Sequence, residues 1–121
     1  MCLRESGEMY LETVMVLSKS GAPVRSLDVA NHLGFSKPSV SRAMGKLKSE
    51  NYIVIDAQGY ITLTEKGDRI ARKILEKRCV LKEWIMSMGV DEETASVDAC
   101  KIEHVLSDKT FDALKAFQQN S

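Results

Sequence analysis

The sequence predicts a mainly α fold in which a winged helix-turn-helix domain, residues 1–73, precedes a helical domain, residues 74–121. Two short amphipathic segments flank a glycine-containing linker at residues 33–36, an arrangement typical of a helix-turn-helix. Two strand-like segments joined by a turn follow directly and predict a small β-hairpin, the wing. Apolar residues then recur at helical spacing over most of the remaining chain.

The first helix is predicted over residues 5–18. Its apolar positions recur at i, i+4 and i+7, namely Tyr10, Val14 and Leu17. The predicted N-cap of the second helix is Ser26, because a hydroxyl there accepts a bond from an unpaired backbone N–H. Leu27 is expected on the apolar side of this helix. The helix is predicted to end at Gly34, a residue that readily adopts the left-handed conformation.

Ser36 is the predicted cap of the third helix, and Pro38 lies in the first turn, where a missing N–H costs little. Apolar residues at helical spacing predict its buried face, namely Val40, Met44 and Leu47. Residues 52–56 and 60–64 are strand-like and predict the two strands of the wing. A long helix is predicted from Thr64 to about residue 88. Two shorter helices are expected after it, one starting near residue 91 and one running through residues 111–117.

Charge is unevenly distributed along the chain. Residues 1–78 carry 13 Lys and Arg against 9 Asp and Glu, whereas residues 79–121 carry 4 against 8. This division predicts an N-terminal part that faces a polyanion. A basic third helix would bind DNA by releasing counterions from its phosphates. The predicted DNA-contacting residues are Ser36, Lys37, Pro38, Ser39, Ser41, Arg42, Lys46 and Lys48. Among them, Arg42 is best suited to a paired hydrogen bond with guanine.

Potential metal ligands are concentrated near the C-terminus. Cys100, Glu103 and His104 lie at i, i+3 and i+4 and therefore share one helical face. A thiolate, a carboxylate and an imidazole together suit a transition metal better than calcium or magnesium. Further donors at helical spacing are Met9, Glu12, Cys79 and Glu83. An interpretation without metal stays open for these four, with Met9 and Cys79 as buried packing residues and the two glutamates as solvated charges.

Four segments resemble the diphtheria toxin repressor family of iron- and manganese-responsive regulators. They are EMYL at residues 8–11, SKPSVS at 36–41, LTEKG at 63–67 and ACKIEHVLS at 99–107. The resemblance covers residues 5–117. It implies a repressor of metal homeostasis that binds double-stranded operator DNA, a near-palindrome, as a homodimer when loaded with Fe(II) or Mn(II). Zn(II), Co(II) and Ni(II) are expected surrogates. The apolar residues expected to supply a dimer surface are Trp84, Ile85, Met88, Val105, Phe111 and Phe117.

Carried over by position, the resemblance assigns the activating site to Met9, Cys100, Glu103 and His104. A second site draws on Cys79 and Glu83. In this family the position of Cys79 is normally a histidine, and that of Ser96 is a histidine in the iron-type members, so the second site is weakened or retuned toward softer metals. Glu12 matches a bridging carboxylate of the manganese branch. The chain is a hybrid nearer the iron type, and the resemblance implies a short form without the SH3-like domain of longer members.

Two other function classes compete with this hypothesis. A winged-helix regulator that responds to an organic ligand, or to oxidation of Cys2, Cys79 or Cys100, is an alternative. An enzyme with Cys100 as nucleophile and His104 as base is disfavoured, because no third orienting group is evident. No apolar run is long enough to cross a bilayer, and no signal peptide precedes the first helix. A cytoplasmic protein that acts on no membrane and no small organic substrate is therefore expected.

Overall fold

The computed structural model describes residues 5–119, and within this range it has six helices and one two-stranded antiparallel sheet. The elements are α1 (Glu5–Ser18), α2 (Ser26–Leu33), α3 (Lys37–Ser49), β1 (Ile53–Ile55), β2 (Ile61–Leu63), α4 (Glu65–Ser87), α5 (Glu92–Val105) and α6 (Asp108–Gln119). This order confirms the predicted mainly α, winged helix-turn-helix fold. The chain divides into a first compact unit that ends at Arg72 and a second that begins at Lys73.

The first unit has its core among α1, α2, α3 and the hairpin, which pack against one another. Its buried apolar residues include Leu11, Val14, Val29, Val40, Met44, Leu47, Ile53 and Ile61. The buried face predicted for α3 is therefore confirmed. The ring of Tyr10 meets the ring of Phe35 edge to face, with centroids 6.3 Å apart, and so links α1 to the turn between α2 and α3.

The start of α2 differs from the prediction. The N-cap is Arg25, and Ser26 is the first helical residue. The carboxylate of Asp28 accepts a 2.9 Å hydrogen bond from the Arg25 backbone N–H, so this acidic side chain secures the helix start in place of the Ser26 hydroxyl. Leu27, expected on the apolar side, is 45% exposed. Gly34 ends the helix in the left-handed conformation, as predicted, with φ 72°.

The wing hairpin is one residue shorter at each end of each strand than predicted. Ile53 pairs with Leu63 in an antiparallel register. Asp56 ends the first strand because its carboxylate accepts two backbone N–H bonds of the turn, each 2.9 Å long. The Ile61 N–H donates to the Val24 carbonyl at 2.7 Å, which fixes the hairpin to the segment before α2.

The start of α4 is bound closely to the chain between α3 and β1. The Thr64 hydroxyl contacts the Asn51 and Tyr52 carbonyl oxygens at 2.7 and 3.0 Å, and it accepts the Gly67 N–H at 3.1 Å. The Lys66 ammonium lies 4.1 Å from the centroid of the Tyr52 ring. A Cβ atom on Gly67 would lie 2.1 Å from the Tyr52 carbonyl oxygen, so only glycine fits here.

The second unit contains the rest of α4 together with α5 and α6. Its buried apolar residues include Ile74, Leu81, Ile85, Ala95, Ala99 and Phe111. Asp108, the first residue of α6, pairs with Lys73 at 2.8 Å and Lys77 at 3.0 Å. Lys77 is buried and also donates to the Leu106 carbonyl at 3.2 Å. These contacts join α6 to α4.

The apolar residues expected to supply a dimer surface differ in exposure. Ile85 and Phe111 are 6% and 2% exposed and belong to the core of the chain itself, so their assignment to an outer surface was wrong. Met88, Val105 and Phe117 are 59%, 73% and 77% exposed. In the described part of the chain, no helix has the length and apolar character needed to cross a membrane.

We expect Gly67→Ala to lower the free energy of unfolding by about 1–3 kcal/mol, the usual cost of inserting a methyl group into a packed site. The added Cβ would collide with backbone, which cannot rotate away as a flexible side chain can. Urea unfolding followed by circular dichroism measures the change.

Gly45 provides the matched control because it is also helical, but a Cβ atom placed on it would meet nothing within 4 Å outside its own helix backbone. Gly45→Ala should stabilise the protein by up to about 1 kcal/mol through helix propensity. Equal stability of Gly67→Ala and the wild type would contradict the close approach to Tyr52.

Asp108 should make stability depend on pH. Hydrogen bonds from Lys73 and Lys77 lower the pKa of Asp108 in the folded protein. The stabilisation of the folded state by Asp108 is therefore fully present above the ordinary aspartate pKa, about 3.9, and is lost as pH falls through the lower folded pKa. We expect Asp108→Asn to cost about 1 kcal/mol near pH 7, since Asp108 is largely exposed, and nothing once the carboxylate is protonated. Asp98→Asn, at an exposed position on α5, is the control. A pH-independent difference from wild type would refute the ion pairs.

Candidate functional site

Helix α5 carries three of the predicted metal ligands. Its N-cap, Asp91, accepts a 2.9 Å hydrogen bond from the Thr94 N–H, which fixes where the helix begins. Cys100 is exposed, whereas the side chains of Glu103 and His104 are 0% and 7% exposed. The helical period thus gives one accessible thiol and two inward-facing donors.

Glu103 and His104 present two donor atoms at a distance that suits one metal ion. The imidazole Nε2 lies 3.3 Å from the Glu103 Oε1. Two ligands each about 2.1 Å from one metal are about 3.0–3.4 Å apart at octahedral or tetrahedral angles. A carboxylate oxygen and an imidazole nitrogen at this separation are donors that suit a divalent transition metal.

Arg78 on α4 forms a two-pronged ion pair with Glu103. Its Nε donates to Oε2 at 3.0 Å, and its Nη2 donates to Oε1 at 3.1 Å. The same Nη2 lies 3.9 Å from the Cys100 Sγ. The guanidinium therefore contacts two of the three predicted ligands on α5.

Burial controls the protonation of Glu103. Removal from water raises the pKa of Glu103, because the charged carboxylate loses its hydration. The positive charge and hydrogen bonds of Arg78 act in the opposite direction, as do His104 and Lys77 more weakly. A cation beside this carboxylate thus offsets the free-energy cost of burying its charge.

The other four predicted ligands lie on α1 and α4. Met9 is half-buried and Glu12 is 5% exposed, both on α1 in the first unit. Cys79 and Glu83 are exposed on α4. Exposure of Cys79 contradicts its alternative interpretation as a buried packing residue. Cys2, a candidate oxidation site in the alternative function, lies outside the described residues.

The predicted DNA-contacting surface lies on α3 and its N-cap. The Ser36 hydroxyl accepts the Ser39 N–H at 3.4 Å and donates to the Ser39 hydroxyl at 2.8 Å, so both serines secure the helix start. The exposed members of the predicted set are Ser36, Lys37, Pro38, Ser41, Arg42, Lys46 and Lys48, while Ser39 is half-buried. By the helical period, Arg42 and Lys46 lie opposite the buried face formed by Val40, Met44 and Leu47, and Lys37 and Lys48 lie beside it.

Sequence reasoning missed Arg78. Its position beside Cys79, on a helix with predicted metal donors, was the available signal. The pairing of Arg78 with Glu103 joins residues 25 positions apart on different helices. No helical spacing encodes such a pair, so only the packing of α4 and α5 reveals it.

Two family models together match most of the chain. The model described as the N-terminal DNA binding domain of the iron dependent repressor matches residues 2–61. The model described as the metal binding and dimerisation domain of the iron dependent repressor matches residues 64–120.

Similar proteins include several regulators. An uncharacterised HTH-type transcriptional regulator of Methanocaldococcus jannaschii is 35% identical over 119 residues, covering 97% of this chain and 95% of that protein. The HTH-type transcriptional regulator MntR of Bacillus subtilis is 29% identical over 119 residues, covering 95% of this chain and 84% of MntR. The solved structure of the manganese regulator SloR has a TM-score of 0.82 at 24% identity, covering all of this chain and 56% of SloR.

Proposed function

Because this chain belongs to the iron-dependent repressor family of metal-dependent transcriptional repressors, we propose that Fe(II) or Mn(II) at α5 controls its binding to operator DNA. The observation that carries this proposal is the pairing of the Glu103 carboxylate with the His104 imidazole, 3.3 Å apart, on the helix that also holds Cys100. A divalent metal is the ligand that this donor set suits.

The ligand set combines donors from two helices. Cys100, Glu103 and His104 are the proposed α5 ligands, and the family resemblance adds Met9 to the activating site and Glu12 as the bridging carboxylate of the manganese branch. When bound, the ion supplies the positive charge that holds a thiolate, a carboxylate and an imidazole together. Cys79 and Glu83 lie at i, i+4 on α4, and their exposure on one helix supports a second site.

The choice of metal follows from the donors. Thioether and thiolate donors from Met9 and Cys100 favour Fe(II) over the harder Mn(II), whereas Glu12 adds an oxygen donor that suits manganese. Zn(II), Co(II) and Ni(II) bind sulfur and nitrogen donors as well and would act as surrogates. Selection in the cell then depends on geometry and on the concentration of each metal.

DNA binding is assigned to the basic face of α3. Lys37, Arg42, Lys46 and Lys48 are exposed on one helix, which supports insertion of α3 into the major groove. In a homodimer, the two copies of α3 would enter successive major grooves about 34 Å apart, so the operator would be a near-palindrome. The exposed apolar side chains of Met88, Val105 and Phe117 support association with a second copy.

Substitution of the two exposed cysteines tests the metal assignment. We expect Cys100→Ala to reduce Mn(II)- or Fe(II)-activated operator binding at least about tenfold, since it removes an activating ligand. Cys79→Ser should instead lower the number of metal ions bound per subunit or change the preferred ion. Operator titrations under reducing, anaerobic conditions measure the first effect, and metal analysis of the dialysed protein measures the second.

Wild-type protein with a chelator is the control for that experiment. Operator affinity that is the same with and without chelator would exclude control by metal. A response to oxidant in place of metal would favour the thiol-oxidation alternative, and unchanged metal stoichiometry in Cys79→Ser would exclude the second site.

A pair of α3 variants separates reading of bases from binding of phosphates. We expect Arg42→Ala to weaken binding chiefly at one operator position, by about 1–3 kcal/mol. Lys46→Ala should weaken binding to all sequences alike and reduce the slope of log affinity against log salt by about one. Fluorescence anisotropy with cognate and scrambled duplexes measures both. If Arg42→Ala lowers affinity equally for the cognate and the scrambled duplex, Arg42 contacts only phosphate.

A further inference from the structure

We propose that the guanidinium of Arg78 competes with the divalent metal for Glu103, so that Arg78 sets the metal concentration at which this protein responds. The inference rests on the proposed metal-binding function of α5. Neither the helical spacing nor the ligand set suggests this role for Arg78. In it, the guanidinium is a cation of the protein that a bound metal ion replaces.

The geometry places Arg78 where a metal shared by two ligands would bind. Its Nη2 lies 3.1 Å from the Glu103 Oε1 and 3.9 Å from the Cys100 Sγ, so one nitrogen lies against two of the proposed donors. Its Nε holds the other carboxylate oxygen at 3.0 Å. Both oxygens of Glu103 are therefore engaged by one positively charged group.

Arg78 occupies both oxygens of Glu103, with Nη2 on Oε1 and Nε on Oε2. A metal about 2.1 Å from Oε1 would place a dication within about 5 Å of the guanidinium, where like charges repel strongly in a buried site. Metal binding therefore requires Arg78 to withdraw.

Burial makes an unpaired, charged Glu103 unfavourable, so a cation beside it stabilises the charged form. The Glu103 side chain is 0% exposed, and an unpaired carboxylate at such a position is costly. The Arg78 side chain is 32% exposed, so its guanidinium has access to water when it leaves the carboxylate. The ion pair thus stabilises the protein without metal and weakens the apparent metal affinity by the free energy of that pair.

Direct metal titration of the full chain tests the competition. We expect Arg78→Ala to bind Mn(II) about tenfold more tightly than wild type by isothermal titration calorimetry, equivalent to about 1.4 kcal/mol. Arg78→Lys should give a smaller gain, since an ammonium keeps the charge but lacks the two-pronged geometry. The thermal midpoint of Arg78→Ala without metal should fall, and added Mn(II) should raise it by more than it raises that of wild type.

Lys82 supplies a matched control. It lies one turn further along α4, its side chain is 31% exposed, and it pairs with Glu92 at 3.1 Å. Lys82→Ala removes the same charge from the same helix and should leave Mn(II) affinity unchanged. An equal gain in Lys82→Ala and Arg78→Ala would assign the effect to distant charge and overturn the competition.

The remaining outcomes are also decisive. Weaker Mn(II) binding by Arg78→Ala would show that Arg78 positions Glu103 for the metal. Equal Mn(II) affinity would show that Arg78 has no part in the site. Either result overturns the inference while the proposed function stands. Failure of the wild type to bind Mn(II) or Fe(II) would overturn the proposed function itself. If Arg78→Ala does not fold, Arg78→Lys against wild type decides between gain and no gain.

Discussion

The backbone at Gly67 lies so close to the Tyr52 carbonyl that a Cβ atom would be 2.1 Å from its oxygen. This contact fixes the first turn of α4 against the chain that leaves α3, and Thr64 reinforces it by bonding both sides of the joint. The segment that follows α3 and the first turn of α4 are thereby held together. Backbone atoms move less easily than flexible side chains, so this contact fixes the position of the start of α4 relative to the wing.

A second constraint is the buried charge of Glu103. A carboxylate removed from water needs a cation, and Arg78 meets this need with two hydrogen bonds. The choice of a carboxylate at this position makes the packing of α4 against α5 depend on charge. In the proposed competition, a metal ion and Arg78 are alternative cations for this one carboxylate.

Most of the fold could be predicted from the sequence because its determinants are local. The apolar spacing of Val40, Met44 and Leu47 located the buried face of α3, and Gly34 marked the end of α2. The prediction failed where a neighbouring side chain changed the local preference. Asp28 secures the start of α2 in place of Ser26, and the position of Phe111 in the core could not be inferred from α6 alone.

The sequence by itself determined the helix-turn-helix, the wing and the spacing of Cys100, Glu103 and His104 along one helix, since a helical period needs only the order of residues. Tertiary structure decided which of these donors are buried and which cation accompanies them. Arg78 reaches Glu103 because α4 and α5 pack together, and Cys79 is exposed because of the face of α4 on which it lies. Burial and charge pairing depend on residues distant in the chain, and no local pattern encodes them.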